Sequence, residues 1–460
     1  MRLPARTSVA VLAVSTCLAA LATSGHAAAA RPSAAPAWNA PVLLTTDKYA
    51  GGYEPTVVVD RFNNVVVTAH KQNATLVLSP DSRSATKVRS QSWLWTSKDG
   101  QTFTDLPGLT PAQEQNGEFG DEGDLAYDDA GAIYFVDTNV VDDSFSRYRA
   151  TGNGQLKLET TRPIGPFGEP VDDRPWIAAH GNGVVLYTGN EGNKTTYPAG
   201  RKGDGDAYGP GRYTGYMSYD SGASFDPLGV TFNDSGWCRP AADHRPGSKD
   251  LYVLCTNDGD ATGTAATGNP PKTVGTLYAF ASHDDGRTWT RSRMGKYDAT
   301  DRVATYPSVA IGPDGTIYAL YSENKTDANG APTGGRLRLL RSSTRGRTWT
   351  ETNVTPFPGI YRYTWLDVAP DGAIGIAFYH RPTTDSDWYV WAGTAKAGQK
   401  LAYSKVSAAP IASKANTSAF GDFFQAAFGP DSKLSVVYTS ENKDLLLEGL
   451  NTDIYYAKQR

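Results

Sequence analysis

The chain has 460 residues, 39% of them apolar and 20% charged, enough to bury a core and too apolar for a wholly disordered protein. With 44 basic and 48 acidic residues the net charge is −4, which offers no general attraction to nucleic acid or to an anionic membrane. Three cysteines exclude a disulfide-stapled mini-fold and a multi-cysteine zinc domain. The 47 Gly and 28 Pro mark a chain that turns often, favouring many short strands over long helices.

The N-terminus reads as an export signal over residues 1–30. Arg2 and Arg6 precede an uncharged apolar run from Ser8 to Ala22, and Ala28-Ala29-Ala30 offers a small-residue cleavage site. The run is too short and too rich in Ala, Ser and Thr for a membrane anchor. The mature chain is therefore expected to be secreted and extracellular, a monomer with no membrane and no nucleic-acid partner. Residues 31–39 read as a flexible lead-in, and 40–460 as a single domain that opens with a strand at Ala40–Thr46.

An internal repeat organises that domain. An apolar strand, a turn rich in Gly, Asp and Asn, and a second apolar strand recur seven times, from Glu54, Gly123, Arg174, Arg239, Tyr306, Tyr363 and Gly421. The seventh copy starts 367 residues after the first, a period of about 61. Runs of five to seven apolar or alternating residues are strands. A period of this size in all-β sequence predicts propeller blades of four strands each. The fold class is thus all-β, a seven-bladed β-propeller in which the N-terminal strand completes the last blade, so that no open edge remains.

A second motif falls in phase with the repeat. SYDSGASF at Ser218–Phe225 and SHDDGRTW at Ser282–Trp289 fit S-x-D-x-G-x-[TS]-[WF]. TSKDGQTF, with Lys98 at the Asp position, and SSTRGRTW, with Thr344 there, are looser copies. The motif resembles the Asp-box (BNR repeat) of the sialidase-type β-propellers. That resemblance implies a structural turn between the third and fourth strands of a blade, with the aromatic packed between blades. It also implies a sialidase-like, secreted, glycan-active protein, and a six-bladed ring as the alternative to seven. Sialidases hold the substrate carboxylate with three arginines, use a Tyr–Glu nucleophile and an Asp as acid/base, and open the first blade with F/Y-R-I-P. Here that place reads Gly52-Tyr53-Glu54-Pro55, an acid in place of the arginine. Seven-bladed relatives include glucanases with paired aspartates and non-catalytic sorting receptors.

Strand polarity sorts the side chains. In a propeller the first strands line the channel and start at the ligand-binding mouth, where the second strands end. His180, His244 and His283 then fall on the opposite face, and only His70 and His380 end second strands. Glu54, Asp121, Asp124, His70 and Tyr363 become the candidate catalytic residues, for proton transfer or nucleophilic attack. The hairpin of the first repeat pairs residues summing to about 125, which sets His70 beside Glu54. Arg174, Arg239 and Arg362 open the first strands of units three, four and six and form a candidate clamp for an anionic sugar, with His380 and Trp176 beside them. The same charges could instead neutralise one another around a ring of seven blade tips.

Cys238 and Cys255 flank one hairpin symmetrically about its turn at Pro246-Gly247, so they should face each other as a disulfide. No metal or cofactor site is assigned. Asp204-Gly205-Asp206 and Asn257-Asp258-Gly259-Asp260 could hold a structural Ca²⁺, but neither continues into a full ligand set. The partner is expected to be an extracellular glycan or polysaccharide. Three functions remain open: a glycoside hydrolase acting on an acidic glycan, a uronate lyase using His70 or a Tyr as base, and a non-catalytic glycan- or protein-binding propeller.

Overall fold

Each repeat folds as two hairpins because its apolar runs are separated by turn chemistry. In the computed structural model, 28 strands form seven four-stranded antiparallel sheets and no helix occurs among the described residues. The described residues are 34–46, 50–73, 92–106, 122–138, 143–151, 155–164, 172–181, 183–191, 212–230, 232, 238–257, 274–298, 308–327, 332–396, 398–413, 420–421, 423–444 and 451–460. The export signal and the oxygen-rich loops at 204–206 and 258–260 lie outside them.

The inner strands of blades 1 to 7 are Ala50–Val59, Glu122–Tyr127, Asp172–His180, Cys238–Ala242, Ser308–Ile311, Ile360–Val368 and Gln425–Phe428. Each touches the next, and the seventh touches the first, so they wall a closed central channel. The ring has seven blades, not six. Blade 7 takes its outermost strand from the N-terminus: Val42 pairs with Tyr456 and Leu43 with Tyr455. Thr45 locks the seam, donating its hydroxyl to Asp453 and accepting the amide of Ile454.

The core lies between blades. Seven apolar clusters are found among the described residues, and each spans one blade–blade interface. Val57, Val67 and Trp95 of blade 1, for example, meet Val437, Ile454 and Tyr456 of blade 7. The S-x-D-x-G turns feed these interfaces. Gly222 and Gly286 take φ of 80° and 81°, where glycine is favoured, and their amides donate to Ser218 and Ser282. Trp289 and Trp349 then pack on the clusters that their own blades share with the preceding ones.

One turn departs from the sequence alignment. In the first copy Asp99, not Lys98, takes the acceptor role: Ser97, Gln101 and Thr102 all donate to its Oδ1. These bonds, those from the Thr102 and Gln101 amides foremost, hold its carboxyl down at about 2. The turn is one residue shorter than its sister copies, which shifts the Asp by one place.

Cys238 and Cys255 are cross-strand partners with Cα atoms 4.1 Å apart and form a buried disulfide. Replacing both by Ala should lower stability by about 3 kcal/mol, the loop-closure value for this separation, measured as a shift in the chemical denaturation midpoint.

Candidate functional site

Three inner strands break their own geometry at the mouth. The ladders slip between Tyr53 and Thr56, between Asp173 and Trp176, and between Arg362 and Thr364. The residues within these bulges, Glu54, Arg174 and Tyr363, have φ of 53°, 59° and 42°. Other non-glycine residues with positive φ lie in turns or next to strand ends. Left-handed backbone at a side-chain-bearing residue inside a strand is strained, and bulges of this kind re-aim side chains at functional sites. Glu54 and Arg174 also precede Pro55 and Pro175, which lack an amide that a ladder would need.

The first bulge also changes a pairing. Thr56 still faces Thr68, but His70 faces Tyr53 instead of Glu54. Tyr53 and His70 pack with ring centroids 4.0 Å apart and planes tilted by 30°, and the hydroxyl lies 2.9 Å from Nε2. Both side chains are partly exposed. Glu54 turns away toward blade 7 and is buried; a Cβ at Gly421 would overlap its side chain.

Below the mouth the channel is plugged. Asp124 is fully buried and accepts from Arg239 Nη2 at 3.1 Å, Gln425 Nε2 at 2.9 Å and the Ile177 amide at 3.0 Å. Blades 2, 4, 7 and 3 thus meet on one carboxylate. The Arg239 guanidinium lies 3.9 Å from the Trp176 ring centroid and 4.3 Å from that of Trp365. Phe423 of blade 7 packs edge-on against Trp176 of blade 3. Burial pushes the Asp124 carboxyl up, and the Arg239 charge pulls against it. Asp124, Arg239 and Trp176 therefore form the floor of the mouth, where a substrate would not touch the carboxylate.

Blade 6 carries the cationic side. Arg362 and Arg381 sit over the same Trp388 ring, at 5.7 and 4.6 Å from its centroid. Arg381 is 5% exposed, and burial together with the Arg362 charge lowers its pKa. Two guanidiniums held this close favour an anion between or above them. Arg174 of blade 3 is half-buried, and its strained amide donates to Glu122 Oε2 at 2.7 Å.

His380 is placed differently from the substrate-contacting role expected of it. It is buried, its Nε2 bonds to the Pro358 carbonyl at 3.1 Å, and it packs against Phe357, Tyr361 and Trp391. Burial lowers its pKa to about 4. Asp121 lies outside the described residues. Gln425, Trp365 and Phe423, central to the floor, were not singled out by sequence; the one signal was a glutamine inside the apolar run FFQAAF.

No family model matches the chain, and no curated protein matches it. Solved structures do. A protein of unknown function from Dyadobacter fermentans is 14% identical, covers 93% of this chain and 100% of its own, and superposes with a TM-score of 0.52. An ulvan lyase, described as a new family of polysaccharide lyase, is 12% identical over 88% of this chain and 94% of its own, with a TM-score of 0.52. A Hadza microbial sialidase is 15% identical over 81% and 74%, at 0.45. At such identities the likeness shows the propeller fold alone, and the fold neighbours include glycan-active propellers.

Removing the Asp124 carboxylate strands a buried guanidinium. Asp124→Ala should lose about 3–5 kcal/mol of stability in chemical denaturation, and Asp124→Leu with Arg239→Met should recover most of it.

His380 makes stability pH-dependent in a defined window. The folded chain holds the ring neutral down to about 4, whereas the unfolded chain protonates it near its ordinary 6.5. Protons therefore favour the unfolded chain as pH falls from about 6.5 to about 4, a loss of roughly 3 kcal/mol by linkage. The melting temperature of His380→Gln should fall less steeply than that of the wild type across this window.

Proposed function

We propose that the protein is a secreted glycan-active enzyme whose site is the propeller mouth, and that it opens an acidic polysaccharide by β-elimination. The observation that carries this reading is the Tyr53–His70 bond at the mouth. A hydroxyl and an imidazole in direct contact can take the proton α to a uronate carboxylate and return one to the leaving glycosidic oxygen. The electron pair left by the proton forms the new double bond as the glycosidic bond breaks. Arg362 and Arg381 supply the positive charge that the carboxylate needs as its α-carbon loses the proton. The buried disulfide, the signal-like N-terminus and the likeness of the turn motifs to Asp-boxes support an extracellular, sialidase-type setting.

A second reading rests on the buried acids Glu54 and Glu122, each at or beside a strained bulge. A carboxylate pair there would hydrolyse the bond instead, with one acid protonating the leaving oxygen.

The test is a panel of uronate-bearing and sulfated polysaccharides, followed by ultraviolet absorbance of the conjugated unsaturated product and by reducing ends. Elimination raises both. Tyr53→Phe and His70→Ala should each lose on the order of 10²–10⁴ in turnover at an unchanged melting temperature. New reducing ends without the double bond assign hydrolysis. Saturable binding with no turnover reduces the mouth to a glycan-binding surface.

A further inference from the structure

Below the Asp124–Arg239–Gln425 plug the channel opens on the face opposite the mouth as a cavity of about 520 Å³, a size typical of small-molecule sites. Its walls are the second halves of the inner strands, with Val58, Ala126, Ala178, Ala241 and Ala427 among the lining residues. Three aromatics, Tyr127, Trp365 and Phe428, interrupt this wall of small residues. Trp365 lies beside the floor, and Tyr127 stands toward the outer rim, stacked on His244 with centroids 4.6 Å apart and planes at 9°.

The acids of this cavity are not equivalent. Asp243 pairs with Arg245 at 2.6 Å, and Asp60 is spent on the Phe62 and Asn64 amides of its own turn. Asp129, at the rim, accepts from His244 Nδ1 at 3.1 Å, and Arg61, exposed on the same lining, donates to the Asp129 and Ala130 carbonyls. Asp367 is different. It lines the cavity half-buried, held by the Val368 amide at 2.8 Å and the Phe428 amide at 2.6 Å, and it forms no ion pair among the described residues. Burial pushes its carboxyl up to about 6, so near neutral pH it is an anion whose charge is met by two backbone amides and, among the described residues, by no ion-paired Arg or Lys.

We propose that this lower cavity binds a small organic ammonium ion, its charge on the Asp367 carboxylate and its apolar body against the alanine-lined wall and the faces of Tyr127 and Trp365. A carboxylate fixed by two backbone amides, inside an apolar chamber with aromatic faces, is complementary to a cation that carries alkyl groups and is poorly matched to an anion or a free sugar. The site is separate from the mouth, because the ion-paired plug stands between them, and it does not depend on the chemistry assigned there.

Choline and dimethylbutanol, its neutral isostere, separate charge recognition from simple apolar filling. Titration calorimetry on the full chain at neutral pH should give saturable choline binding, at least tenfold tighter than any binding of the isostere. Asp367→Asn should weaken choline at least tenfold. Ala241→Leu, which narrows the lumen and keeps the carboxylate, should do the same and guards against misfolding of the first variant; both are compared at matched circular dichroism. Equal binding of choline and its isostere, binding that survives both variants, or no saturable binding by the wild type would each overturn the proposal.

Discussion

The innermost strand of a propeller blade has a partner on one side only, and the rest of this structure depends on how its free edge is satisfied. Amides along that edge are buried between blades, where an unmade hydrogen bond costs about 1–3 kcal/mol. Here they are met by acceptor side chains of the preceding blade. Glu122 and Asp124 of blade 2 take the Arg174 and Ile177 amides of blade 3. Asn324 of blade 5 takes Tyr361 of blade 6, Asp367 of blade 6 takes Phe428 of blade 7, and Gln425 of blade 7 takes Val57 of blade 1. All five run in the same sense around the ring, so apolar packing between blades is reinforced by directional ties.

These ties divide the carboxylates that the sequence offers. Charged residues at the starts of inner strands can serve a ligand or a neighbouring backbone, and the two uses compete for the same atoms. Asp124 has gone to the Ile177 amide, Arg239 and Gln425. Glu122 has one oxygen on the Arg174 amide, which holds that residue in its strained left-handed conformation. The ring thereby supports the bulges that tilt Glu54, Arg174 and Tyr363 out of line. Strain at the mouth is thus maintained by contacts between neighbouring blades.

Much of this architecture was legible in the sequence, and the parts that were not share a cause. Seven repeats, closure by the N-terminal strand and the Cys238–Cys255 pairing follow from periodicity and from hairpin symmetry, which depend only on counting residues. Counting fails where one residue is added or removed. The bulge at Glu54-Pro55 moves His70 onto Tyr53, and the shortened turn at Ser97 moves the acceptor role from Lys98 to Asp99. Nor could counting show which ring positions meet across the channel, because Asp124, Arg239 and Gln425 come together only once the ring is closed. Their convergence is a property of seven-fold geometry, not of any local segment.

The closed plug also explains why one channel presents two chemically distinct ends. At the mouth, bulged strands project long polar side chains, and Arg362 and Arg381 both lie over the Trp388 ring. Past the plug the strands run regularly, their lumen-facing positions are mostly alanine and valine, and the carboxylate of Asp367 is held there by backbone amides, with Arg61 and the Asp243–Arg245 pair also among the lining residues. An ion pair sealed between these ends neutralises itself, so neither end sees the charge of the plug as a free guanidinium or carboxylate. The polarity of each end is then set by its own residues.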